Sequence, residues 1–229
     1  MNNISFEVDI DRLISRLRIK GPGPTLSLFQ DLLKEATKIA RPKAIIGPAD
    51  IENRTAEAVQ VDGKWFRSRV LTVNVDQSHR IFIYVATCGK EMEEWAKGLK
   101  SELEVFWAET FKEIALRNAV KAVEFYVEEH YHPGRTAHQN PGSLDDFPLP
   151  EQEALFALLG DTHISIGVNL LPSLMMSPIH SVSGIIIPSI EDFQSCLLCP
   201  REQCLGRRAP YDPMLYSRKY AKDQEDVDQ

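Results

Sequence analysis

Apolar and polar positions along the chain switch between two periods, and that switching predicts most of its elements. Ile4-Ser5-Phe6-Glu7-Val8 alternates with a period of two, which predicts a short strand. Leu13, Ile14 and Leu17 then share one face of a helix that Asp9 or Asp11 can cap. Gly21-Pro22-Gly23-Pro24 interrupts the chain. Pro24 and Thr25 open a second helix, in which Leu26, Phe29, Leu32, Leu33 and Ala36 recur at helical spacing.

From Ile45 to Cys88 the pattern is that of strands. Ala58-Val59-Gln60-Val61 and Lys64-Trp65-Phe66 flank Asp62-Gly63, a pair suited to the positive φ angles of a tight turn, so a hairpin is expected there. Residues 70–75 and 80–86 predict two more strands. Gly89 to about His130 is helical, as two helices, with Phe106, Phe111, Ile114, Ala115 and Ala119 available for a buried stripe. Residues 132–150, rich in Pro, Gly, Asn and Asp, read as a long loop of the kind that is functional or disordered. A short helix at 151–159 follows, then strands at 164–168 and 183–187, and residues 222–229 form a polar tail expected to be disordered. Helices and strands are mixed without strict alternation, which points to an α+β arrangement.

The 229 residues, 43% hydrophobic and 26% charged, suit one large domain or one domain with a small appendage. A formal net charge of −7 argues against nucleic acid as the main partner, because phosphate binding needs clustered Lys and Arg. The start has no basic residues before Glu7, Asp9 and Asp11, unlike a signal peptide, and no apolar run reaches membrane-spanning length. A soluble, cytoplasmic protein with no membrane partner is expected.

Three of the four cysteines fall within nine residues, as Cys196-x-x-Cys199-x4-Cys204. A C-x-x-C turn brings two sulfurs to the same side, so this segment is a candidate holder of an iron–sulfur cluster or, alternatively, of zinc. Cys88 is the other sulfur that can complete four ligands, and Arg201, Arg207 and Arg208 would favour thiolates. The competing reading is three unligated thiols in a reducing compartment. Met175-Met176 reads as core filler or adaptable contact surface, and His130-Tyr131-His132 as a solvated helix end. No Gly-x-Ser-x-Gly, phosphate-loop or dinucleotide pattern is present, so hydrolase, kinase and dehydrogenase readings have no local support.

Two further segments carry a resemblance. One is Gly167-Val168-Asn169-Leu170-Leu171-Pro172-Ser173 with Met176, Pro178 and Ser181-Val182-Ser183-Gly184. The other is Asn140-Pro141-Gly142-Ser143 followed by Phe147-Pro148-Leu149-x-x-Gln152 and Leu155-Phe156-x-Leu158-Leu159. Together they resemble the activation domain of cobalamin-dependent methionine synthase, in a short form ending in a cysteine cluster and Arg207-Arg208-Ala209-Pro210-Tyr211-Asp212. The resemblance implies a mixed, largely antiparallel sheet with packed helices over residues 1–190, followed by a cysteine segment at 191–221. It implies an accessory role in reductive activation or remethylation of a corrinoid-dependent methyltransferase, with S-adenosylmethionine as a possible ligand and cobalamin met through the partner. The ligand or partner site would then comprise Arg135, His138, Asn140, Pro141, Gly142, Ser143, Ser181, Ser183 and Gly184. His138 stands where the family has Arg, Ser143 where it has Tyr, and Pro172 where it has Glu. A neutral imidazole does not reproduce the planar, permanently charged fork of Arg. The alternatives are a non-catalytic corrinoid-protein binding domain with structural zinc, and an iron–sulfur redox protein with another partner.

Overall fold

The computed structural model describes residues 1–76, 78–189, 193–204 and 207–221. The predicted tail, 222–229, lies outside the described residues. Seven α-helices and eight strands are found among them: α1 (Ile10–Arg16), α2 (Pro24–Ile39), β1 (Lys43–Arg54), β2 (Ala58–Val61), β3 (Lys64–Arg67), α3 (Arg69–Asn74), β4 (Arg80–Thr87), α4 (Lys90–Lys97), α5 (Glu102–Tyr131), β5 (Thr136–Gln139), α6 (Glu151–Leu159), α7 (Thr162–Ile166), β6 (Asn169–Leu170), β7 (Met176–Ser177) and β8 (Ser181–Pro188). Six strands form a sheet in the order β3-β2-β1-β4-β8-β5, and β6 and β7 form a separate two-stranded ribbon. The class is α+β with a largely antiparallel sheet, as the sequence led us to expect.

The chain divides into two compact units, each assembled from three stretches. The first comprises Met1–Ile46, Val85–Glu129 and Asp161–Val182. Its core follows the helical stripes: Phe29, Leu32, Leu33 and Ala36 of α2 are buried, with Met92 of α4 and Trp107, Phe111 and Ala115 of α5. Phe29 meets the Trp107 ring edge-on at 5.3 Å. Asp9 caps α1 by accepting the Arg12 N–H at 3.0 Å, the capping expected of a short acidic side chain there. One feature of α5 defies its stripe: Lys112 is buried, held between Glu93 at 3.4 Å and Glu109 at 2.5 Å. Burial disfavours its charge, but Glu109 and Glu93 outweigh that and hold its pKa above the ordinary lysine value.

The second unit comprises Gly47–Tyr84, His130–Gly160 and Ser183–Gln229. Asp62 and Gly63 take φ angles of 43° and 77°, closing the β2–β3 hairpin in the register Val61↔Lys64 to Ala58↔Arg67. The segment expected to be a strand at 70–75 is the helix α3. Ser68 accepts the Leu71 N–H at 2.9 Å, and Asp146 accepts the N–H groups of Arg69 and Val70 at 3.1 and 3.0 Å. These caps satisfy first-turn donors that Val70 and Val73 by their β-branched shape would not have predicted. The expected strand at 164–168 is likewise helical: in the first unit, α7 is capped by Asp161, which accepts from Ile164 at 2.8 Å, and stopped by Gly167 at φ 76°. Residues 4–8 carry no regular element.

The long loop expected at 132–150 contains β5, paired antiparallel with β8 in the register Thr136↔Pro188 to Gln139↔Ile185. Phe147 is buried and contacts Phe66 at 6.5 Å. The C-terminal segment ends in a short π-helical turn, Tyr216–Tyr220. Tyr220 is buried, donating its hydroxyl to Asn74 at 2.9 Å and packing on Phe193 at 5.9 Å.

Candidate functional site

The tight turn at 140–143 is built by its own residues. Pro141 suits the second position of a β-turn, and Gly142 at φ 78° supplies the positive angle that a type II turn needs at the third. The Ser143 N–H closes it on the Asn140 carbonyl at 3.1 Å, and the Ser143 hydroxyl adds a second bond to the same oxygen at 2.6 Å. Gly142 donates to the Phe147 carbonyl at 2.8 Å. A side chain at Gly142 would come within 3.0 Å of the end of the Leu149 side chain, and the positive φ is what favours glycine here.

β8 brings Ser183 and Gly184 to this turn. The Asn140 side-chain amide donates to the Ser183 carbonyl at 2.7 Å and to the Tyr84 hydroxyl at 3.3 Å. A Cβ on Gly184 would lie 2.5 Å from that amide nitrogen and 2.7 Å from the Tyr84 ring. Glycine is therefore what lets Asn140 and Tyr84 close over the strand. Ser183 itself is buried and donates to the side-chain oxygen of Gln152 at 2.7 Å, fastening β8 to α6.

The other expected site residues are placed differently. His138, one residue before Gln139 on β5, is 7% exposed; its Nε2 lies 3.2 Å from the Thr136 hydroxyl, and its N–H donates to the Phe193 carbonyl at 3.0 Å. Burial, reinforced by the charge of Arg208, pushes its pKa down to about 4, so the imidazole is neutral near pH 7. Arg135 is exposed, and its carbonyl accepts the Ser189 N–H at 2.9 Å. Ser181 belongs to the first unit, where its hydroxyl bridges Thr87 at 2.9 Å and the Pro178 carbonyl at 2.7 Å.

Three residues that the sequence reading did not select stand out. Tyr84 lies in an uninterrupted apolar strand, so nothing in the pattern separates it from core. Gln152 was quoted only as part of a motif. Gln139 was assigned to a loop; it is 1% exposed, and among the described residues neither polar atom of its side chain has a hydrogen-bond partner. An unmatched buried amide costs about 1–3 kcal/mol, so a bound group or water at Gln139 would be favoured.

Described residues of this unit line cavities. One of about 310 Å³ is lined by Leu144, Asp145, Leu198, Tyr211, Pro213 and Tyr216, among others. A larger one of about 580 Å³, lined by Asn74, His79, Arg80, Pro188 and Lys219 among others, includes none of the expected site residues. Size alone does not make it the site; the smaller cavity borders the loop that carries the turn.

The cysteines divide between the units. Cys88 is wholly buried in the first, its thiol 3.5 Å from the Gly89 carbonyl, and burial with the nearby charge of Glu93 pushes its pKa up to about 12. Cys196 and Cys199 are half-buried and Cys204 is exposed in the second unit, all as free thiols. Among the described residues, no group of three or more His, Cys, Asp or Glu side chains is placed to hold a metal ion. The expectation of an iron–sulfur cluster or zinc gains no support from these side chains. No helix among the described residues is long and apolar enough to cross a membrane.

No family model and no curated protein matches this chain. Its fold is similar to that in a crystal structure of the MetH reactivation domain bound to AdoHcy, with a TM-score of 0.61. That likeness covers 81% of this chain and 75% of the other, at 14% sequence identity, and so shows a shared fold.

Proposed function

We propose that this chain is an accessory protein for reductive activation or remethylation of a corrinoid-dependent methyltransferase, and that it binds S-adenosylmethionine or its demethylated product in the second unit. The observation that carries the reading is the fold shared with an AdoHcy-bound reactivation domain, together with the turn at 140–143 held against β8. Asn140, Gly142 and Ser143 fix a backbone edge, Gly184 leaves room above the strand, and the Gln139 amide would gain a partner. A bound ligand of this class carries a sulfonium or thioether, an amino acid carboxylate and an adenosyl group. Backbone and side-chain amides here would orient its polar groups by hydrogen bonding. Cobalamin enters through the partner and is assigned no residue of this chain.

Titration calorimetry with S-adenosylmethionine and with AdoHcy tests ligand binding, and co-migration with a corrinoid-loaded methyltransferase tests docking. The reading expects a ligand affinity that falls at least tenfold in Asn140→Ala and a 1:1 complex with the corrinoid protein. Absence of both would overturn it.

A second reading has its own support. His138 is neutral and buried where the resembled family has a charged Arg, and the Ser143 hydroxyl is consumed by its own turn. Docking to the corrinoid protein without any adenosyl ligand binding would favour a scaffold that kept the fold and lost the ligand.

A further inference from the structure

The segment 194–199 is wound more tightly than an α-helix. The N–H groups of Leu197, Leu198 and Cys199 donate in succession to the carbonyls of Gln194, Ser195 and Cys196, at 2.9, 3.1 and 3.3 Å. In such a 3₁₀ turn, side chains three residues apart eclipse each other, and the ~2.0 Å rise per residue puts their Cα atoms about 6 Å apart. Disulfide-bonded cysteines have Cα atoms about 4.4–6.8 Å apart, so a turn closed by the Cys199 N–H on the Cys196 carbonyl brings the two backbones within the range a bridge needs, and both are free thiols. Cys204 is exposed, and its carbonyl accepts the Arg207 N–H at 3.2 Å.

The turn does not depend on the sulfurs for its shape. The Arg207 guanidinium donates to the carbonyls of Cys196, Ala209 and Cys199, each at 3.2 Å, and to that of Arg201. One side chain thus uses its fixed fork of donors to hold the backbone of both cysteines. The Asp212 N–H donates to the Leu197 carbonyl at 2.9 Å, fastening the chain inside the C-x-x-C loop. The Arg208 N–H meets the Cys196 sulfur at 3.4 Å, giving a donor to the sulfur that would carry charge during exchange. A preformed turn raises the effective concentration of one thiol at the other, because little ordering entropy remains to be lost on closure.

We infer that Cys196 and Cys199 form a redox-active dithiol that exchanges with disulfides, carried by residues other than those of the turn at 140–143 and tested without reference to the function proposed above. The thiolate of Cys196 attacks one sulfur of a disulfide RSSR, forming a mixed disulfide and releasing RS⁻. Cys199, deprotonated, then attacks the Cys196 sulfur and expels the second RS⁻. The protein loses two protons and two electrons, and the disulfide is reduced to two RSH. Cys88, buried in the other unit's core, takes no part.

The test uses the full chain, reduced, freed of reductant under anaerobic conditions, and equilibrated in buffers of reduced and oxidised glutathione. Exchange is quenched with acid, free thiols are alkylated in denaturant, and the peptides are weighed. The expected result is a bridge within the peptide carrying Cys196 and Cys199, with Cys88 and Cys204 alkylated. Cys204→Ser should behave identically, and Cys199→Ser should stop at a glutathione adduct on Cys196. Arg207→Ala should shift the equilibrium toward the dithiol about tenfold, or ~30 mV. The inference is overturned if both thiols stay alkylatable in the most oxidising buffer, if the bridge runs to Cys204 or to another chain, or if tightly bound iron or zinc in the purified protein shields the pair.

Discussion

At the scale of single residues, the site depends on atoms that are missing as much as on those present. Gly184→Ala places a methyl inside contact distance of both the Asn140 amide and the Tyr84 ring. Overpacking of this kind costs about 1–3 kcal/mol, and urea denaturation should read that loss. Asn140→Ala removes two hydrogen bonds and should cost about 1–2 kcal/mol by the same measurement. The two losses should be less than additive, because the alanine at 140 takes away one of the two clashes. His138 makes a different prediction. Its ordinary pKa of 6.5 falls to about 4 in the folded chain. Below about pH 6.5 the unfolded chain accepts a proton that the folded chain refuses until about pH 4, so stability falls as pH is lowered through that window. The loss is on the order of 3 kcal/mol, and His138→Gln should flatten the slope of midpoint against pH in denaturant titrations. His180, lowered chiefly by burial, contributes in the same direction and leaves a residual slope.

At the scale of elements, α3 shows how a cap supplied from far along the chain can outrank local preference. Its sequence, Arg69-Val70-Leu71-Thr72-Val73-Asn74, has strand-forming residues at alternate positions, and it is helical because Ser68 and Asp146 accept its first N–H groups. Asp146 also accepts the Ser68 hydroxyl. Asp146→Ala should therefore cost about 1–2 kcal/mol and raise hydrogen exchange in both α3 and residues 140–149, since one carboxylate fastens the two. Exchange confined to either segment alone would contradict that coupling. The elements that were legible had strong periodicity or strong punctuation: α2 after Gly23-Pro24, the hairpin at Asp62-Gly63, and α6 at 151–159. The misread ones, α3 and α7, are six and five residues long, too short for a 3.6 period to show.

At the scale of the molecule, the C-terminal segment is part of the second unit's core. Tyr220 is 1% exposed, and its carbonyl also accepts from Arg69 at 3.2 Å. Tyr220→Ala should destabilise the protein by about 3 kcal/mol, as a truncated buried aromatic does. Tyr220→Phe, which loses only the bond to Asn74, should cost about 1 kcal/mol. Thermal melts of the two variants would separate packing from hydrogen bonding.

The sequence by itself determined the α+β class, the helical stripes of the first unit, the turn at 140–143 and the spacing of Cys196 and Cys199, because each rests on patterns that run along the chain. The tertiary structure decided which of these meet. Asn140 finds Tyr84 and Ser183 across 56 and 43 residues, Asp146 finds α3 across 77, and Tyr220 finds Asn74 across 146. It also decided the charge state of His138 and the burial of Cys88, since burial is a property of the assembled core and not of a motif. A single sequence carries no signal for pairings at such separations beyond the general need of buried polar groups for partners.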